Sequence, residues 1–198
     1  MSRFIIIEGG IGAGKTTLMN RLKRVFPNAN FIGEYIEEEA GATMFNLFCN
    51  NKVTVEDFQQ YILQYWKRKL AYYETGVYII ERGPLAGLAF VDQLTMKGFK
   101  DFENDVLSFM DNMNLNQFKF IECKARMGVE AYSTIINSYN GNLVLFLEAS
   151  PKELLCGVRE RGREGEARYS EDFLRSNQNA LYNLYRTYKE DLNIEIIN

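Results

Sequence analysis

The sequence predicts an α/β fold, a doubly wound five-stranded parallel sheet with flanking helices, on three observations. Short apolar runs recur without alternating with polar residues, longer stretches of helical spacing lie between them, and a glycine-rich loop joins the first run to the first helix. Residues 4–7, 77–80 and 143–147 are rich in β-branched and aromatic side chains, the composition of strands buried on both faces. Residues 31–32 and 194–197 are weaker candidates of the same kind. Apolar positions from 55 to 74 fall close to a 3.6-residue period, which predicts a helix. Ser150-Pro151-Lys152-Glu153 sets a capping-box serine before a proline at the first helical position, and 170–191 reads as a long C-terminal helix. Strands alternating with helices bury a parallel sheet between helical layers. Such sheets bind ligands at the carboxyl ends of their strands, so the residues that follow each apolar run carry the functional interest.

The chain of 198 residues is sized for one domain, 1–198. It buries enough surface, about 70% of that of the unfolded chain, to fold without a disulfide or metal staple. Its 23 basic and 26 acidic residues give a net charge of −3 and no general drive toward nucleic acid or an anionic membrane. Phosphate chemistry must therefore come from a local cluster of positive charge. The absence of histidine excludes histidine bases, triads and metal ligands. Cys49, Cys123 and Cys156 are odd in number and lack CxxC spacing, which suits a reducing compartment. Met1-Ser2-Arg3 runs into only four apolar residues, too few for a signal-peptide core or a membrane span, so a cytoplasmic protein is expected.

Gly9-Gly10-Ile11-Gly12-Ala13-Gly14-Lys15-Thr16, with Thr17 beside it, satisfies the phosphate-loop pattern GxxxxGK[ST]. Glycines let the backbone wrap around phosphates, and its N–H groups with the helix N-terminus supply positive potential. Lys15 reaches the terminal phosphates and the Thr16 hydroxyl can ligate Mg²⁺. The competing reading, a glycine-rich turn with no ligand, is set aside by the context: the loop lies between a strand and an amphipathic helix marked by Leu18, Leu22 and Val25. A nucleoside triphosphate, ATP, is the expected ligand. A GTPase needs an NKxD base reader, and Asn51-Lys52-Val53-Thr54 lacks its aspartate. A motor needs a longer chain and an extended strand ending in paired acids. A nucleoside or nucleotide kinase remains.

Between 159 and 168 stand four arginines, Arg159, Arg161, Arg163 and Arg168, with two glycines and no lysine. A solvated helix end laced with ion pairs is the plain alternative. The glycines and the exclusive use of arginine favour a lid over about 159–169 that closes on the transferring phosphoryl group. Glu81-Arg82-Gly83 ends the third strand, where the carboxylate can hold Mg²⁺ and the arginine face the reacting hydroxyl. Glu34 ends the second strand, whereas Glu37, Glu38 and Glu39 read as a solvated helix start. Phe58, Tyr61, Tyr65, Trp66, Tyr72 and Tyr73 read as core, with Gln59 among them able to hold a base.

In order and spacing these elements resemble the deoxyribonucleoside kinase family over almost the whole chain: Ile7-Glu8-Gly9 into the phosphate loop, Glu34, Phe58-Gln59-Gln60-Tyr61, Glu81-Arg82-Gly83, residues 147–151, and Arg161-Gly162-Arg163 followed by Glu166. The resemblance implies a P-loop kinase fold and phosphorylation of a deoxynucleoside by ATP with Mg²⁺. By position, Glu34 accepts the 5′-hydroxyl proton, Arg82 stands beside the 5′-oxygen, and Glu81 with Thr16 serves the metal. Gln59 pairs with the base, Glu166 holds the sugar 3′-hydroxyl, and Arg159, Arg161 and Arg163 join residues 9–17 on ATP. Three departures stand out: Gly83 replaces a serine, Tyr35 a proline, and Phe48 a sugar-binding tyrosine. Trp66 and Gly87 occupy positions where an arginine and an aspartate read other bases, which leans toward thymidine or another pyrimidine deoxynucleoside. The resemblance also implies a homodimer. Thymidylate kinase, with a similar loop and lid, is the alternative, and a non-catalytic ATP-binding subunit is a second.

Overall fold

The computed structural model describes residues 2–91 and 98–197. From β1 (Arg3–Gly9) the chain enters α1 (Lys15–Val25) and then β2 (Asn30–Ile32). Helices α2 (Glu39–Cys49) and α3 (Val55–Lys69) lead to β3 (Val77–Glu81), and a 3₁₀ stretch, Pro84–Phe90, follows it. Then come α4 (Phe99–Asn112), β4 (Lys119–Lys124), α5 (Val129–Ser138) and β5 (Leu143–Glu148). α6 (Pro151–Arg161), α7 (Glu171–Thr187) and β6 (Glu195–Ile197) complete the chain.

The strands form one six-stranded sheet in the order β2-β3-β1-β5-β4-β6, with every pairing parallel. The chain fills one side of β1 with β2 and β3 and the other with β4 to β6, the doubly wound pattern. The expected count of five is corrected to six, because β4 was not foreseen. Its six residues hold only the apolar pair Phe120-Ile121 among two lysines and a glutamate; lying next to the three-residue edge strand β6, it is not buried on both faces throughout.

Alternate residues of the central strands feed two cores. Phe4, Ile6, Ile80, Val144 and Phe146 pack on one face against α3, α4 and α7. Ile5, Ile7, Ile79, Leu145 and Leu147 pack on the other, chiefly against α1, α5 and α6. Each such side chain contributes about 1.5–3 kcal/mol by leaving water. The predicted capping box at Ser150 is present: its Oγ accepts from the Glu153 N–H, and the Glu153 carboxylate accepts from the Ser150 N–H at 2.8 Å. Helix α3 ends at Lys69, short of the predicted 74, where three basic residues fill its last turn; Tyr72, read as core, is 96% exposed. Val25, assigned to the apolar stripe of α1, is also exposed, at the last position of the helix. Among the described residues, no helix is long and apolar enough to cross a membrane.

Candidate active site

The phosphate loop leaves β1 and folds over the N-terminus of α1. Gly12 has φ +87°, and a Cβ there would stand 2.2 Å from the Leu154 carbonyl. A Cβ on Gly157 would meet the Gly12 carbonyl at 2.3 Å, so loop and α6 touch backbone to backbone. The Ile11 N–H donates to Asn177 Oδ1 at 3.3 Å, anchoring the loop to α7 as well. Lys15 is buried, and its ammonium donates to the carbonyls of Gly9 (3.3 Å) and Gly10 (3.1 Å). Burial, then the neighbouring Arg82 charge, pulls its pKa down to about 8.

At the end of β3 the Thr16 hydroxyl donates to Glu81 Oε1 at 2.7 Å. Glu81 is buried, and its Oε2 has no hydrogen-bond partner among the described residues. Burial, then the charge of Glu34, pushes its carboxyl up to about 7. The next residue, Arg82, holds φ +58°, an uncommon conformation for a side-chain-bearing residue. Its guanidinium donates to Glu34 Oε1 (2.9 Å), Glu8 Oε1 (3.3 Å) and the Gly9 carbonyl (3.3 Å), and it lies 5.1 Å from the Phe90 ring centroid. Burial alone lifts a carboxylate, yet at Glu34 the charges of Arg82 and Lys15 and the Arg82 hydrogen bond outweigh it and hold the carboxyl at about 2. Glu8, wholly buried, is pushed up by burial and accepts from the Tyr185 hydroxyl and the Gly9 N–H.

Two cavities open from this edge of the sheet. The first, of about 670 Å³, is walled by Glu34, Tyr35, Phe48, Phe58, Gln59, Trp66, Arg82 and Gly87, with Glu166 and Tyr169 of the segment after α6. The second, of about 610 Å³, is walled by residues 12–17, Arg21, Glu81, Arg126, Met127, Tyr132 and Gly157. Lys15, Arg161 and Arg163 line both. Each volume falls in the range of small-molecule sites, about 300–1,000 Å³. Glu166 is buried and accepts from Arg161 Nε (3.0 Å) and Nη2 (2.6 Å), with Arg163 Nη1 at 3.7 Å.

The family model for deoxynucleoside kinase matches residues 5–196. The chain belongs to that family. No curated protein sequence matches it. Among solved structures, the deoxyadenosine kinase from M. mycoides with bound dATP superposes with a TM-score of 0.66 at 19% identity, covering 99% of this chain and 90% of that one. The same enzyme with bound dCTP gives 0.62 at 20% identity, covering 98% and 89%. At these identities the likeness speaks to the fold.

In this deoxynucleoside kinase, Ile11, Lys15, Glu34, Phe48, Gln59, Arg82, Gly87, Arg161, Arg163 and Glu166 gather on the first cavity. Gly12, Ala13, Gly14, Thr16, Thr17 and Glu81 gather on the second, while Gly9 and Gly10 present carbonyls to Lys15. Arg159 is the exception: it is exposed on α6 and lines neither cavity, since helical spacing turns it away from the wall that Gly157, Glu160 and Arg161 form. Sequence reasoning missed Glu8, Tyr35 as a wall residue, Asn177 and Gln178, and the turn carrying Arg126. Two buried amides inside the apolar stripe of α7 were a legible signal. The side chain of Gln178 bonds both the N–H and the carbonyl of Ala149, tying α7 to the end of β5.

Proposed function

We propose that this kinase transfers the γ-phosphoryl group of ATP to the 5′-hydroxyl of a pyrimidine deoxynucleoside, thymidine foremost, with 1–198 as one domain and 159–169 as its lid. The observation that carries the reading is the meeting of two cavities at Lys15, Arg161 and Arg163. A donor on the phosphate loop and an acceptor among the aromatic rings then share one cationic wall. The 5′-oxygen bonds the γ-phosphorus, the bond to the β,γ-bridging oxygen breaks, and the hydroxyl proton passes to Glu34. The three shared cations neutralise the equatorial oxygens in the transition state. A carboxylate with a pKa of about 2 is a weak base, but a loose transition state demands little prior deprotonation. What Glu34 contributes is position, fixed by Arg82 through Oε1, with its second oxygen left to the hydroxyl.

The Thr16 hydroxyl and the Glu81 carboxylate, whose Oε2 has no partner among the described residues, are a set of hard oxygens that fits Mg²⁺. When bound there, the ion neutralises charge on the β- and γ-phosphates. Gln59 is buried with its Oε1 unpartnered among the described residues, which suits the N3–H of thymine while the amide donates to O4. Trp66 and Gly87 share its wall and bring no charge. The M. mycoides deoxyadenosine kinase is known with dATP, dCMP and dCTP, so one fold accommodates purines and pyrimidines and side chains decide the base. Phe48 stacks on Phe58 at 4.3 Å and offers no hydroxyl, which leaves the sugar 3′-hydroxyl to Glu166. A homodimer acting in the cytoplasm completes the reading. A coupled assay with Mg·ATP on thymidine, deoxycytidine, deoxyadenosine and deoxyguanosine tests it: thymidine turns over with the highest kcat/KM, and preference for a purine nucleoside overturns the base assignment.

A further inference from the structure

The turn from β4 into α5 belongs to the part of the fold that the sequence left unannounced, yet it forms a wall of the second cavity. It is built rigidly. The Ala125 N–H donates to the Glu148 carbonyl at 2.7 Å, and the hydroxyl of buried Tyr132 donates to the Lys124 carbonyl at 2.8 Å. Between these anchors Arg126 adopts φ +66°, a left-handed conformation that costs an arginine about 1 kcal/mol and a glycine almost nothing. The strain is not repaid by packing. Arg126 is exposed, and its hydrogen bond, to the Glu153 carbonyl, is long at 3.5 Å. Arg126 instead lines the cavity that also holds Gly14, Thr17 and Arg21. A strained residue held by a fixed turn at a cavity wall is the pattern of a functional contact.

The phosphate loop and Thr16 account for the triphosphate end of a nucleotide. The rest of the 610 Å³ cavity, toward Arg126, is left for what the triphosphate carries. A guanidinium offers a flat face for stacking and N–H donors for ring nitrogens or carbonyl oxygens. We propose that Arg126 binds the nucleobase of the phosphoryl donor, making the β4–α5 turn the element that selects the donor nucleotide. This inference rests on the reading of the second cavity as the donor site.

Isothermal titration of the full chain with two Mg²⁺ complexes tests it: the non-hydrolysable ATP analogue AMP-PNP, and inorganic tripolyphosphate, which has neither base nor ribose. Arg126→Gly removes the side chain and accepts the left-handed φ without strain. It is expected to weaken AMP-PNP about tenfold, roughly 1.4 kcal/mol, and to leave tripolyphosphate within about twofold. Arg126→Lys, which keeps the charge but not the plane, is expected to recover less than half of the loss in log Kd. Unchanged AMP-PNP affinity, an equal fall for both ligands, or full recovery with lysine overturns the proposal, the last two by reducing Arg126 to a general positive charge. Because AMP-PNP binds without an acceptor, failure of the wild-type chain to phosphorylate thymidine sinks the functional reading and leaves this measurement standing.

Discussion

The two cavities, proposed above as acceptor and donor sites, share a cationic wall but are made of opposite material. The donor side is largely backbone: residues 12–17, consecutive in sequence, wrap the start of α1, with Gly12 and Gly157 in direct main-chain contact. The acceptor side is largely side chains drawn from scattered elements, with Phe48 from α2, Phe58, Gln59 and Trp66 from α3, Arg82 from the end of β3 and Glu166 from the segment after α6. Phosphate is recognised by a charge and a curvature, which a short loop can supply. A nucleoside is recognised by ring faces and a few hydrogen bonds, which need rigid side chains held from several directions. Donor binding should therefore tolerate changes in the acceptor wall and the reverse, whereas the shared residues should affect both.

The largest effect is expected at the junction. Glu34→Gln keeps the shape and removes the proton acceptor and the charge opposite Arg82; kcat is expected to fall about 10²–10³-fold with KM for both substrates little changed. Unchanged kcat in steady-state kinetics removes Glu34 from its assigned role. Next comes Glu81→Gln. Activity is expected to fall with loss of Mg²⁺ dependence, while stability at neutral and higher pH rises. The carboxyl is raised from 4.5 to about 7 in the folded chain. Between those pH values the native state holds the proton more tightly than the unfolded state, so this group's contribution is full below 4.5 and lost as pH rises through about 7. Above pH 7 the glutamine variant should melt about 2–4 °C higher for each kcal/mol recovered. Below pH 4.5 the two melting curves should converge, and a gap that persists there contradicts the assignment.

Within the acceptor wall, Gln59→Leu is expected to raise KM for thymidine about tenfold or more and leave KM for ATP within about twofold, since a lost base contact strands the polar edge of the ring. Comparable rises for both substrates break the separation of the two cavities. The smallest effect is at the sugar. Glu166→Ala should raise KM for thymidine several-fold more than for 3′-deoxythymidine, measured side by side, and equal rises for the two remove the 3′-hydroxyl contact.

The same contrast explains how much was legible in sequence. The phosphate loop is contiguous and its chemistry dictates its spacing, so residues 9–16 announced themselves. Glu34, Glu81 and Arg82 follow apolar runs and could be placed by the rule that strand ends carry function. Arg159 lines neither cavity, and four arginines in ten residues say nothing about which way each helical position faces. The strand β4 was missed because Lys119–Lys124 offers only the pair Phe120-Ile121 among charged residues; its partners β5 and β6 supply the pairing that its composition does not advertise. Glu8 stands in the sequence only as the residue leading into the phosphate loop, and the fold reveals it as the second carboxylate on Arg82. Removing either carboxylate leaves Arg82 with the other as its remaining partner.

The most direct test of the two-cavity account is a single reaction holding equal thymidine and thymidine monophosphate with Mg·ATP, its products resolved by chromatography. The account predicts that thymidine disappears, the monophosphate accumulates and no diphosphate forms. Thymidine left intact while diphosphate appears contradicts it, and with it the roles of Glu34, Gln59 and Glu166.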